Sequence, residues 1–271
     1  NDTITYEDIK DLSNWLLTNP RLTKGEKTLE FEAAWSAWQG RKHTVFVNSG
    51  SSANLAMIYA LMLSGRLKNN KIIVPAISWV TTVAPIIQLG LDPIMCDAEP
   101  ETLGIDVNQL RKLFEKHRPS ALIIVHVLGI PNKMNEILEL CEQYGVILLE
   151  DSCESMGSTY NGIKTGNFGL MSFFSTYYGH HFSTIEGGMI NTDDEELFNI
   201  LLSIRSHGWD RDLPEYERKR LREGEGVTEF RALYTFYYPG FNLRSTDLQA
   251  FIGIDQLKRL DNIISIRNKN F

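Results

Sequence analysis

Short apolar runs alternate with helix-spaced segments from His43 to Leu149, and that rhythm leaves few folds open. Ala121–Val125 and Val146–Leu149 are apolar at every position, as strands buried on both faces of a parallel sheet are. The stretch between them, Met134 to Tyr144, has helical spacing. Upstream, His43–Val47, Lys71–Val74 and Pro93–Cys96 read as strands. Ala53 to Leu63 reads as a helix, and Val107 to Lys116 as another, with Leu110, Leu113 and Phe114 on one side. This alternation predicts an α/β fold: a mostly parallel central sheet with helices on both faces.

The rhythm changes after Asp151. Residues 151–170 are rich in Gly, Ser, Thr and Asn and read as loop, and Met171–Phe174 as a further strand. The charged segment Asp210 to Glu225 has no apolar face and is expected to be an exposed excursion. Thr246 to Ile263 has helical spacing, with Leu248, Phe251, Ile252, Ile254 and Leu257 as its apolar positions. A chain stopping just after such a helix, with no element for it to pack against, is expected to be truncated.

With 271 residues, 43% of them hydrophobic, the chain can bury a large core. Its formal charge of −7 argues against nucleic acid as a partner, but leaves room for an anionic small molecule at a locally favourable site. Apolar runs stay strand-sized, so no membrane span is expected. With the polar opening Asn1, Asp2, Thr3, no signal peptide is expected. Cys96, Cys141 and Cys153 are scattered, with no CxxC pair. A disulfide framework, structural zinc and a four-thiolate iron–sulfur cluster are therefore not expected, and a reducing cytoplasm is.

Four motifs carry chemistry. Asn48-Ser49-Gly50-Ser51-Ser52-Ala53 lies between a strand and a helix, where N–H groups, hydroxyls and the helix dipole suit a phosphate. An ordinary Ser N-cap explains the same residues. Glu150-Asp151 ends the Val146–Leu149 strand, on the side where open α/β sheets bind ligands. A carboxylate there can pair with a ring nitrogen; it can also be a plain acidic loop residue. Ser175 to Gly188 contains the adjacent pair His180-His181 between glycines and hydroxyls, which has no packing logic. Metal is disfavoured, because no nearby carboxylate stands at i,i+4 from the pair. Gly240-Phe241-Asn242-Leu243-Arg244 precedes the last helix and can be a turn with a cap. Trp79, just past a strand end, can be core or can stack on a flat ring.

In order and spacing these motifs resemble the DegT/DnrJ/EryC1/StrS family of sugar aminotransferases, which depend on pyridoxal 5'-phosphate (PLP) and have the fold-type I architecture. The resemblance runs from about Leu22 to the end. It includes Leu22-Thr23-Lys24-Gly25, Phe31-Glu32, the Asn48–Ala53 turn, His126-Val127-Leu128-Gly129, Glu150-Asp151, Glu186-Gly187-Gly188 and Gly240-Phe241-Asn242. It implies a PLP-binding large domain over 1–245, with 246–271 beginning the helix that leads to a small C-terminal domain. Related enzymes carry roughly another hundred residues there, about the size of a small domain. It further implies that Ser51, Ser52 and Ser175 hold the cofactor phosphate, Trp79 stacks on the ring and Asp151 pairs with the ring nitrogen. Glu154, where the family usually has glutamine, would stand near the ring hydroxyl. Asn242 would reach the phosphate of the neighbouring subunit of a homodimer.

One departure redirects the expected chemistry. Six positions before Glu186, where the family carries its imine-forming lysine, this chain has His180. The surrounding residues are similar to the branch of the family that removes the 3-hydroxyl of nucleotide-linked 4-keto-6-deoxysugars. Imidazole forms no stable imine, but it moves protons near neutral pH. The resemblance thus implies a PLP-dependent 3-dehydratase acting on a nucleotide sugar. L-Glutamate would convert the cofactor to pyridoxamine 5'-phosphate during turnover. Two alternatives stand beside it: an aminotransferase that works without lysine or uses a distant one, Lys164 being the nearest on the N-terminal side, and a catalytically inactive protein that binds sugar nucleotide.

Overall fold

The computed structural model describes residues 3–270; Asn1 and Asp2 of the polar opening, and Phe271, lie outside the described residues. The strands are β1 (His43–Val47), β2 (Lys71–Pro75), β3 (Asp92–Cys96), β4 (Ala121–Val125), β5 (Ile147–Asp151), β6 (Thr159–Tyr160), β7 (Ile163–Lys164), β8 (Met171–Ser175) and β9 (Gly188–Thr192). Seven of them form one sheet in the order β1-β9-β8-β5-β4-β2-β3, and β6 and β7 pair separately as a hairpin. Only β9 runs antiparallel to its neighbours in the large sheet. The pairs β2/β3, β2/β4, β4/β5 and β5/β8 are parallel.

The helices are α1 (Tyr6–Leu16), α2 (Glu26–Gln39), α3 (Gly50–Leu63), α4 (Val80–Gln88), α5 (Val107–His117), α6 (Met134–Tyr144), α7 (Glu195–Arg205), α8 (Glu215–Gly224), α9 (Glu229–Ala232), α10 (Asp247–Leu257) and α11 (Leu260–Asn270). Alternation along the strands sorts them into layers. Val45, Val47, Ile72, Val74, Ile123 and Leu149 face one way, against α3 and α7. Ile73, Leu122, Ile124 and Leu148 face the other way, against α5 and α6. Phe46, Phe174 and Met189 meet Phe31 and Trp35 of α2 and Ala250 of α10 on that second side. Each such large buried side chain contributes about 1.5–3 kcal/mol. The sheet with helices on both faces is the expected architecture. No described helix is long and apolar enough to cross a membrane.

Three expectations need correction. The segment Asp210 to Glu225 is not a free excursion. It contains α8, and Asp210 is fully buried and receives Arg222 Nε at 2.7 Å, while Leu213 and Leu221 pack on the core. Its signal was hidden because charge pairing, not an apolar stripe, fastens it. The pattern from Thr246 to Ile263 is two helices, broken around Lys258 and Arg259. Nor does it lack an element to pack against: α10 lies on α2 and α1. Asp247, the first residue of α10, accepts the N–H groups of Gly25 at 2.7 Å and Thr28 at 2.9 Å, so it caps α2 from a distant part of the chain. Finally, residues 151–170 are not loop alone, since β6 and β7 form there.

β9 carries no apolar alternation to read. Its Asn191 is buried, and the side-chain oxygen accepts from Trp35 Nε1 at 3.0 Å and Thr44 Oγ1 at 2.9 Å. Polar residues satisfied inside a sheet leave no trace in hydropathy.

Candidate active site

The parallel strands all point their carboxyl ends to one edge of the sheet, and the segments that follow them converge there. A cavity of about 580 Å³ opens at that edge, within the usual range for small-molecule sites. After β1 come Ser49, Gly50 and Ser51; after β2, Trp79 and Thr81; at the ends of β5 and β8, Asp151, Glu154 and Ser175. The loop between β8 and β9 contributes Tyr177, His180 and Glu186. No lysine is among the described residues that line the wall.

The strand-to-helix turn is an N-cap and a cradle at once. Ser49 caps α3 by accepting the N–H of Ser52 at 3.0 Å. Gly50 is required by crowding: a Cβ there would lie 2.5 Å from Cβ of Ser175. Gly188 is required likewise, since its Cβ would come within 2.3 Å of the Ser49 carbonyl oxygen. The ends of β8 and β9 are thereby pressed against the start of α3, which places Ser51 and Ser175 on one wall. Ser52 stands a step behind, with its hydroxyl 3.0 Å from that of Ser49, and does not line the cavity.

Asp151 is buried at the cavity floor. Its Oδ2 accepts the Thr82 hydroxyl at 2.8 Å and its Oδ1 the Cys153 N–H at 3.2 Å. Neither donor is cationic. Burial therefore pushes the Asp151 carboxyl above its ordinary value, against the lowering effect of Thr82 and Cys153. The same burial, beside the Asp151 charge, drives the Cys153 thiol well up. Glu150 is turned to the opposite face. It accepts N–H groups from Gly166, Phe168 and Gly169 and lies 3.0 Å from His126 Nε2, which anchors the loop before β8 to β5. His126 Nδ1 takes the Asn132 N–H at 3.3 Å, which assigns the proton to Nε2. Burial would raise the Glu150 carboxyl, but His126 and the N–H groups outweigh it and lower it.

The two adjacent histidines occupy different positions. His180 lines the cavity and His181 does not. His181 is driven down to about 4 by burial, with Arg267 and His180 adding to the effect. It is neutral at working pH, and its Nδ1 is buried with no partner among the described residues. His180 is also lowered, mainly by burial with Arg267 adding to it, but the carboxylate of Glu154 works in the opposite direction. Glu154 is itself held by the Leu128 N–H, which it accepts at 2.6 Å. Trp79, at the N-cap of α4, is 73% exposed on the wall and has no stacking partner among the described residues, an unusual position for an indole.

Asn242 lies away from this wall, exposed, with its Oδ1 accepting Arg244 Nε at 3.0 Å. Lys164 is far from the chemistry: its ammonium sits 3.9 Å over the Trp38 ring and donates to the Trp38 carbonyl. Sequence reasoning missed Thr81, Thr82, Tyr177 and Cys153. Thr82 pairs with a residue 69 positions away, so no local pattern could announce it.

Comparison with known proteins matches residues 3–271 to the model of the DegT/DnrJ/EryC1/StrS aminotransferase family. The chain is 40% identical over 94% of its length to the GDP-4-keto-6-deoxy-D-mannose 3-dehydratase of Yersinia pseudotuberculosis, covering 65% of that protein. It is 41% identical over 99% of its length to the protein of the same name from Escherichia coli O55:H7, covering 68%. Among solved structures, a GDP-4-keto-6-deoxymannose-3-dehydratase with a trapped PLP-glutamate geminal diamine superposes with a TM-score of 0.91 at 40% identity, over 100% of this chain and 70% of that one. The chain thus spans about two thirds of the length of these curated relatives.

Proposed function

The chain belongs to the DegT/DnrJ/EryC1/StrS aminotransferase family, and on that premise we propose that it is a PLP-dependent 3-dehydratase of a nucleotide-linked 4-keto-6-deoxysugar. GDP-4-keto-6-deoxymannose is the substrate, L-glutamate the amino donor, and ammonia and a 4-keto-3,6-dideoxysugar the products. Such a product serves the 3,6-dideoxysugars of lipopolysaccharide, made in the cytoplasm. The observation that carries the reading is a cavity wall with His180 and no lysine among its described residues.

The residues fit the cofactor. Asp151 is a buried carboxylate with hydroxyl and amide donors but no cationic partner among the described residues. A protonated ring nitrogen is the partner its raised affinity for protons calls for. Ser51 and Ser175, beside the N-terminus of α3, suit the phosphate, with Ser52 supporting them through Ser49. Trp79 stacks on the ring, and Glu154 stands near the ring hydroxyl. When bound, PLP supplies a carbonyl that captures amino groups and a ring that accepts the electron pair left behind when a proton departs.

His180 is the proton carrier. In its basic form it removes a proton at Cα of glutamate, and in its acid form it delivers a proton to the departing 3-hydroxyl of the sugar. One imidazole can do both, taking the proton in its basic form and giving it back in its acid form; burial lowers its proton affinity and the Glu154 carboxylate works against that. Lysine at this position would expel an aminated sugar by forming its own imine, and imidazole cannot. The aminotransferase alternative loses its candidate, since Lys164 is engaged by Trp38. Asn242, exposed and off this chain's own wall, serves the partner of a homodimer.

Borohydride treatment of the PLP-loaded protein, followed by peptide mass spectrometry, tests the reading. No pyridoxyl-lysine is expected, in residues 175–188 or elsewhere, and light scattering of the same sample should give a dimer. Stoichiometric pyridoxyl-lysine would overturn the dehydratase assignment.

A further inference from the structure

α4 contains a proline, Pro85, inside its span. Proline has no N–H, so the carbonyl four residues earlier loses its helical donor. That carbonyl belongs to Thr81. Asn54, fully buried on α3, donates its Nδ2 to the Thr81 carbonyl at 2.6 Å and reaches the Thr82 carbonyl at 3.1 Å. The Asn54 side-chain oxygen has no partner among the described residues, so the amide is placed for its donor end. The turn it grips faces the cavity. Trp79 caps α4, the Thr81 hydroxyl is 3.0 Å from that of Ser51, and the Thr82 hydroxyl donates to Asp151 at 2.8 Å.

We propose that Asn54 and Thr82 are positioning residues for the cofactor ring: Asn54 replaces the helix bond that Pro85 removes, and Thr82 uses the turn so fixed to aim the Asp151 carboxylate. The inference rests on the PLP reading above. One amide ties the phosphate cradle, the stacking indole and the carboxylate of the ring nitrogen to one helix start. Pro85 makes the arrangement depend on Asn54, because α4 cannot satisfy its own first turn there.

The test is a PLP titration of the purified protein, read by the absorbance of the bound cofactor across pH, with melting temperature measured alongside. Thr82→Val keeps the shape and removes the donor to a charged acceptor, so PLP affinity should fall about tenfold or more, and the pH profile of the bound absorbance should move. Thr82→Ser should restore both to within about twofold, since the hydroxyl remains. Asn54→Ala should weaken PLP binding about tenfold, and adding Pro85→Ala should recover most of the loss by returning an N–H to the Thr81 carbonyl. Unchanged affinity and profile in Thr82→Val would overturn the role of Thr82. A lowered melting temperature in Asn54→Ala with wild-type affinity would reduce Asn54 to a structural part and overturn its role. Wild-type protein that binds no PLP would instead remove the cofactor reading itself, and the inference with it.

Discussion

His180→Asn should lose both halves of the proposed reaction, each by about 10²–10⁴-fold, the range contributed by a positioned acid–base group. Single-turnover conversion of bound PLP by L-glutamate measures the first half, and sugar dehydration the second. PLP affinity should stay close to wild type, because the phosphate cradle, Trp79 and Asp151 are untouched. His181→Asn should keep at least the first half-reaction, since His181 lies off the wall and is neutral down to about 4. The pH dependence follows from the direction of the His180 shift. Burial lowers it below 6.5, so its basic form prevails at neutral pH and the acid limb of the glutamate half-reaction should fall below 6.5. Equal loss in both histidine variants would remove the assignment to His180.

Asp151→Asn should abolish turnover, by about 10²-fold or more, since it removes a preorganised charge from the ring nitrogen. The same substitution should not lower the melting temperature of the protein without PLP. The folded-state affinity of Asp151 for protons is raised from 3.8 by burial. Between the unfolded and folded values the native state binds more protons, so stability falls as pH rises through the folded value and the deficit persists at neutral pH. Asn at this position can still accept the Cys153 N–H and donate to Thr82, without a buried charge. Thermal melts with and without PLP check this: wild type gains stability on adding PLP and the variant gains little. A variant that turns over normally would show that Asp151 is not the partner of the ring nitrogen.

The two results share a cause, which is a site built at the cost of fold stability. A buried carboxylate at Asp151 with no cationic partner among the described residues, a mostly exposed indole at Trp79 and a half-buried imidazole at His180 are poor choices for folding alone. Each becomes reasonable once an anionic, planar, protonated-ring ligand lies between them.

The central sheet was legible because its parallel strands are apolar on both faces, so β4 and β5 announce themselves without neighbours. β9 was not, because Asn191 and Thr192 are buried and satisfied by distant partners. α8 was not, because Arg222 and Asp210 hold it by charge. At the site, His180 was singled out by its distance to Glu186 in the chain, and it lines the cavity while His181 does not. Ser52 fits less directly, since its N–H is spent on Ser49. Thr82 and Asn54 carry no sequence signal at all. Their meaning arises only when α3, α4 and β5 meet, and when Pro85 leaves a carbonyl unfilled.

The most direct measurement follows nitrogen. The protein is incubated with PLP, L-glutamate labelled with ¹⁵N, and GDP-4-keto-6-deoxymannose, and the label is located by NMR and mass spectrometry. The label is expected in free ammonia, with a 4-keto-3,6-dideoxysugar as the sugar product. Label retained in a stable 4-aminosugar would contradict it and make the protein an aminotransferase.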